Sequence, residues 1–146
     1  MSKRRVVITG MGIISPVGKT VPEAWNNIID GNSGVSPIAK FDTKDFETKF
    51  AATVNFNPED HLDKKEIRRV DEFIQFGLIA SDQCVIDSGL NLEEEDLNRI
   101  GVSIGSGIGG LRTIEENKLL LDTKGPKKIS PFFVPGAISN LSLIHI

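Results

Sequence analysis

Ile100-Gly101-Val102-Ser103-Ile104, running into Gly105-Ser106-Gly107-Ile108-Gly109-Gly110, is the stretch on which the fold reading turns. A short β-rich run that enters a glycine-dense loop and then a helical stretch to about residue 122 has the pattern of a buried strand, a tight turn and a covering helix. The amino terminus opens in the same way, with Val6-Val7-Ile8-Thr9 closing at Gly10-Met11-Gly12. Between these runs the signals alternate. Thr20-Val21-Pro22-Glu23 has the spacing of a capping box, with a helix expected to about residue 30 and Gly31 as its stop. Residues 32–49 read as surface connection anchored by Phe41 and Phe46, and 50–54 as a further strand. Residues 64–88 lack proline, contain only Gly77 and end at Gly89, so one long helix is expected there. Its apolar residues occupy more than one face, which predicts burial in a larger body. Glu93-Glu94-Glu95-Asp96 suits the first turn of a short helix. Strands alternating with helices predict an α/β layered fold with a mainly parallel sheet.

Composition narrows the function. The chain has 146 residues and a formal net charge of -3, so one core is expected, and a nucleic-acid role is disfavoured for want of excess cations. No apolar run approaches the ~20 residues of a membrane span, and the start, Met1-Ser2-Lys3-Arg4-Arg5, does not read as a signal peptide. A single cysteine, Cys84, cannot form an intramolecular disulfide, which fits a reducing, cytoplasmic setting. With only His61 and His145 as imidazoles, a His/Cys zinc site lacks ligands at the usual spacings.

Several residues invite a chemical role. Gly105, Gly107 and Gly110 match the G-x-G-x-x-G spacing of a dinucleotide loop, but the second strand with an acidic end, due about 20 residues later, is replaced by the basic loop Lys124-Gly125-Pro126-Lys127-Lys128. A nucleotide-binding α/β domain stays open as one alternative. Cys84 lies deep in the expected long helix beside Asp82 and Asp87, where a thiolate is disfavoured, so it reads as structural rather than nucleophilic. His61 follows Glu59-Asp60 and reads as a surface residue. Lys64, Lys65, Arg68 and Arg69 place like charges at i,i+4, a local repulsion of a few tenths of a kcal/mol. The cluster is either a solvated helix start, offset by Asp63 and Glu66, or a docking patch for an acidic protein, with Lys124, Lys127 and Lys128 as a second patch.

Larger blocks carry a specific resemblance. Val6-Val7-Ile8-Thr9-Gly10-Met11-Gly12, Ser15-Pro16-Val17-Gly18, Phe73-Ile74-Gln75-Phe76-Gly77, the loop at 105–110, and Lys128-Ile129-Ser130-Pro131-Phe132-Phe133-Val134-Pro135 resemble the type II β-ketoacyl-acyl-carrier-protein synthases, in register from about residue 3 to 140. The resemblance implies a thiolase-like layered fold of two related α/β halves, of which residues 1–140 are a partial amino-terminal half. It implies a homodimer that moves an acyl chain from acyl carrier protein to an active-site cysteine, decarboxylates malonyl carrier protein and joins the two, with no cofactor. The catalytic cysteine and two histidines belong to later parts of the family's chain, so no catalytic residue is expected here. By similarity Ile108 lines the far end of the acyl pocket, and Phe133 reaches the partner subunit's pocket. Lys65, Arg68, Arg69, Lys127 and Lys128 match positions that grip acidic carrier protein. Gly107, Gly109 and Gly110 would let backbone pass beside the acyl channel. A non-catalytic relative that binds carrier protein or sets chain length is the other alternative.

The closing Leu141-Ser142-Leu143-Ile144-His145-Ile146 departs from the family and looks like a translated sequencing adapter, so residues 141–146 are expected to be a non-native tail and His145 to have no role. Resequencing the locus is expected to return a different continuation after Asn140. A genuine stop codon directly after Ile146 would refute that.

Overall fold

The computed structural model describes residues 4–139; the expected tail at 141–146 and His145 lie outside the described residues. Its elements are α1 (Val21–Ile29), β1 (Val35–Pro37), β2 (Phe50–Ala52), α2 (Lys64–Ile67), α3 (Glu72–Ser88), α4 (Leu111–Lys124) and α5 (Phe133–Ala137), with 3-10 turns at Pro58–Asp60, Leu97–Arg99 and Pro126–Lys128.

Helix α1 forms where its capping residues predict. Thr20 Oγ1 accepts from the Glu23 amide at 3.4 Å, while the Glu23 carboxylate reaches back one residue further than a capping box requires and accepts from the Lys19 amide at 2.7 Å. Gly31, at φ 71°, and Gly89, at φ 67°, take the left-handed backbone expected of helix stops.

The expected long helix is two helices. Asp71, at the N-cap position of α3, has extended backbone, and its amide donates to Gly136 O at 3.2 Å, so the chain turns between Ile67 and Glu72. The carbonyls exposed by that break have a partner. Gln75, buried at 7% exposure, donates from Nε2 to Val70 O at 3.1 Å and to Ile67 O at 3.4 Å. A buried amide is tolerable there because it satisfies the carbonyls a continuous helix would have bonded internally.

Helix α3 carries the core, with Ile74 and Ile79 buried alongside Ala24 of α1 and Ala137 of α5. Residues 10–19 lie along its carboxyl-terminal half. Met11 N donates to Asp87 Oδ2 at 2.8 Å, Ile13 N to Gln83 Oε1 at 3.1 Å, and Gln83 Nε2 to Lys19 O at 2.8 Å. Two steps along the amino-terminal segment thus match four along the helix, since two extended residues and four helical residues both cover about 6 Å. The backbones nearly touch. A Cβ on Gly12 would meet the Ala80 carbonyl and stand 2.9 Å from Cys84 N, and one on Gly10 would stand 2.6 Å from Ser88 N. Glycine at both positions, facing the small residues Ala80, Cys84 and Ser88, permits this approach.

The predicted parallel sheet is not formed. Among the described residues the strands are β1 and β2, an antiparallel pair with Val35 opposite Ala52 and Pro37 opposite Phe50. β2 falls inside the expected strand at 50–54, whereas β1 lies in the segment read as connection. Its Pro37 and adjoining Gly34 disguise it in sequence. Phe41 and Phe46 meet edge to face at 5.5 Å but remain exposed, so they anchor each other rather than the core. The β-branched runs at 6–9 and 100–104 carry no ladder, and Val6 and Ile8 are 88% and 83% exposed. A strand is defined by backbone hydrogen bonds to a neighbour, and among the described residues neither run is bonded into a sheet. The acidic run at 93–96 forms turns rather than a helix: the Asp96 side chain accepts from Asn98 N at 3.1 Å and starts the 3-10 turn instead.

Gly12→Ala is expected to destabilise the protein by roughly 1–3 kcal/mol, because the added methyl meets helix backbone that cannot rotate away. Denaturant unfolding measured beside Gly101→Ala, where nothing lies within 4 Å, checks this.

Candidate functional site

The basic run and the glycine loop converge on one end of α3. Lys64, Lys65, Arg68 and Arg69 line a groove of about 550 Å³ with Phe132 as its apolar floor. Arg69 lies over the Phe132 ring, its guanidinium carbon 4.9 Å from the centroid, an arrangement favourable by about 0.5–1 kcal/mol at exposed sites. Lys64 pairs with Glu59 at 3.2 Å rather than with the expected Asp63 or Glu66. Among the described residues no ion pair engages Lys65, Arg68, Lys127 or Lys128, so these cations face solvent with their charge unneutralised.

Lys127 and Lys128 sit on the 3-10 turn that follows α4. Asn117, 8% exposed, fixes the backbone behind them: Nδ2 donates to Thr113 O at 2.8 Å, and Oδ1 accepts from Ser130 N at 3.2 Å. Five residues separate Ser130 from α4, and this one side chain returns them to it.

The loop at 105–110 meets the same region from the other side. Gly109 (φ 83°) and Gly110 press on α5, and a Cβ on them would stand 2.7 Å from Ala137 O and 2.8 Å from Ala137 Cα respectively. The close approach the glycines permit is therefore to the backbone of α5; Gly107 has nothing within 4 Å. Gly110 N donates to Ala137 O at 2.9 Å, Gly109 N to Ser106 Oγ at 3.1 Å, and Thr113 N to Asp71 Oδ2 at 3.1 Å.

Those bonds argue against a nucleotide. The Gly109, Gly110 and Thr113 amides at the start of α4 are already engaged, and the Asp71 carboxylate stands where a phosphate charge at that helix start would sit. Cys84 is half-buried in mid-helix, its thiol donating to Gly10 O at 3.3 Å, with neither a cation nor a helix start to stabilise a thiolate. His61 is exposed and ends the 3-10 turn at Pro58–Asp60.

Ile108 stands at the tip of the glycine loop and is 76% exposed. Beside it the loop residues Ile104, Gly105 and Ser106 border an apolar cavity of about 360 Å³ whose other walls include Ile13, Phe73 and Phe76. Phe133, the first residue of α5, is half-buried. The structure thus brings Arg69, Phe132, the glycine loop and α5 together around Asp71. Asp71, Thr113 and Asn117 escaped the sequence reading, because their roles depend on partners 13 or more positions away. Asp71-Glu72 ahead of the apolar run Phe73-Ile74 was the one local signal for a helix start. On α4, Arg112 and Glu116 pair at 2.8 Å, and that hydrogen bond, with the attraction of the Glu116 charge, holds the guanidinium pKa above its ordinary value.

The fold is the amino-terminal part of a ketosynthase. A solved structure described as the ishigamide ketosynthase/chain length factor superposes with a TM-score of 0.78 at 26% identity, covering 97% of this chain and 36% of that one. A ketosynthase solved with its type II polyketide acyl-carrier protein gives a TM-score of 0.76 at 22% identity, over 98% and 38% of the two chains. Residues 3–143 match the family described as Beta-ketoacyl synthase, N-terminal domain, and the chain belongs to that family. Within it the chain is similar to 3-oxoacyl-[acyl-carrier-protein] synthase 2 of Vibrio cholerae, 53% identical over 142 residues. That match covers 97% of this chain but 34% of the relative's length.

Asn117→Ala is expected to leave the Ser130 amide unpaired, at a cost of about 1–3 kcal/mol, and to loosen the turn carrying Lys127 and Lys128. Limited trypsinolysis checks this, with cleavage after Lys127 or Lys128 faster in the variant.

Proposed function

We propose that this chain is the amino-terminal part of a type II β-ketoacyl-acyl-carrier-protein synthase, a cytoplasmic, homodimeric acyltransferase of fatty-acid elongation. The observation that carries the reading is the unneutralised basic groove of Lys65, Arg68 and Arg69 beside Phe132, adjoining the glycine loop of a ketosynthase fold. Its similarity to 3-oxoacyl-[acyl-carrier-protein] synthase 2 supplies the reaction class.

In this reading the groove, with Lys127 and Lys128, receives acidic acyl carrier protein. Unpaired cations on an exposed helix face raise the encounter rate with an acidic partner and fix its orientation. A fold relative solved as a complex of ketosynthase and carrier protein supports the same class of partner. Ile108 and Phe133 then belong to the acyl pocket, Ile108 limiting its depth and Phe133 reaching across the dimer. The nucleophilic cysteine and the decarboxylating histidines come from the rest of the synthase, so these residues dock and measure the acyl chain rather than perform the bond chemistry. The unladdered runs at 6–9 and 100–104 are strands of the thiolase-like parallel sheet, completed by that remainder. No helix among the described residues is long and apolar enough to cross a membrane, which accords with a soluble carrier-protein substrate.

Two measurements on the full-length synthase carrying this segment test the reading. The double reversal Lys65→Glu, Arg68→Glu is expected to weaken carrier-protein binding about tenfold at low salt, with the deficit shrinking as salt screens the groove. Unaltered affinity at low salt would remove the docking role. Ile108→Phe is expected to lower kcat/KM for long acyl primers about tenfold relative to short ones, since an added ring overfills the end of the pocket. An unchanged chain-length profile would remove the pocket role.

A further inference from the structure

Asp71 has the backbone of an N-cap for α3, at φ -67° and ψ 160°, yet its side chain makes no bond to its own helix. Its Oδ2 instead accepts from Thr113 twice, from the amide at 3.1 Å and from the hydroxyl at 2.5 Å. Thr113 is the third residue of α4, whose own N-cap, Gly110, has no side chain to offer. Asp71 therefore caps a neighbouring helix, with its charge at the positive end of that helix. A charge-assisted bond to two donors of one residue fixes direction as well as distance.

The same residue holds the surroundings of Ile108. Gly110 is packed so closely that a Cβ there would stand 3.0 Å from Asp71 Oδ2, and its amide is bonded to Ala137 of α5. The Asp71 amide bonds Gly136 of α5 at 3.2 Å, and a Cβ on Gly136 would stand 2.7 Å from Arg69 O. Ile108 lies two residues before Gly110, and Arg69 two before Asp71. Ile108 is 76% exposed, so its loop is anchored by the bonds of Gly109 and Gly110 and by the start of α4 that Asp71 caps.

We propose that Asp71 is the positioning residue of the Ile108 loop, capping α4 through Thr113 and so setting the acyl chain-length preference of the condensation. The inference rests on the reading of this chain as part of a condensing synthase. Asn at position 71 keeps an acceptor oxygen without the charge, and Ala keeps neither. Val at position 113 loses the hydroxyl donor at nearly the same volume, and Ser restores it.

The test uses the full-length synthase carrying this segment, with Asp71→Asn, Asp71→Ala, Thr113→Val and Thr113→Ser. The readouts are the ratio of kcat/KM for long and short acyl primers, KM for carrier protein, and amide hydrogen exchange across 107–113. Asp71→Ala is expected to move the primer ratio about tenfold, Asp71→Asn and Thr113→Val roughly threefold, and Thr113→Ser not at all, with loop exchange accelerating in the same order. KM for carrier protein stays at the wild-type value. A residue that only stabilises the fold would lower activity on both primers together, so an unmoved ratio in folded Asp71→Asn overturns the inference. If Asp71→Ala does not fold, the Thr113→Val and Thr113→Ser pair decides by the same criterion. A wild-type synthase without condensing activity overturns the proposed function and this inference together, whereas an active one with an unmoved ratio overturns this inference alone.

Discussion

The amino-terminal segment, α4 and α5 are held in register by close contacts made along α3 and at its start. At its carboxyl-terminal half Gly10 and Gly12 lie against Ala80, Cys84 and Ser88, where a single methyl group on either glycine would collide with helix backbone. At its amino-terminal end Asp71 reaches sideways to α4 while its amide holds α5. A helix clamped at both ends cannot slide, so segments far apart in the chain keep one register. The stripe of small residues also accounts for Cys84. Its sulfur fills a site where a larger side chain would push the amino-terminal segment away, and its hydrogen bond to Gly10 O agrees with a packing role.

Electrostatics divides the other end of the molecule by function. The acidic group closest to the glycine loop, Asp71, turns inward and is taken up by Thr113, and Glu116 is paired with Arg112. Lys65, Arg68, Lys127 and Lys128 turn outward and are paired with nothing among the described residues. A net acidic chain thereby keeps a groove lined by Lys64, Lys65, Arg68 and Arg69. The inward carboxylate is also what distinguishes this glycine loop from a phosphate cradle of similar spacing. Glycine spacing alone describes the two equally well, but a carboxylate already seated at the start of α4 repels an anion there.

Much of the local structure was legible. Thr20 and Glu23 mark the start of α1, Gly31 and Gly89 mark stops, and Lys64, Lys65, Arg68 and Arg69 line one groove, because capping and charge spacing are decided within a few residues. The single helix at 64–88 was misread for a reason of the same kind inverted. Composition favours helix throughout, but the bond from the Asp71 amide to Gly136 O and the Gln75 bridge to Ile67 O and Val70 O make a break more favourable than continuity. The strands at 6–9 and 100–104 were read from β-branched composition, which records a preference for pairing but not the presence of a partner.

The sequence by itself determined where helices can begin and end, which residues are charged, and which family the motifs match, since each of these depends on side-chain type at short spacing. The tertiary structure decided which surfaces meet. It turned two glycine pairs into contact surfaces for α3 and α5, gave Asp71 a helix other than its own to cap, and set Arg69 on Phe132. Those outcomes depend on atoms brought within a few ångströms from distant positions in the chain, and periodicity along the sequence carries no record of such distances.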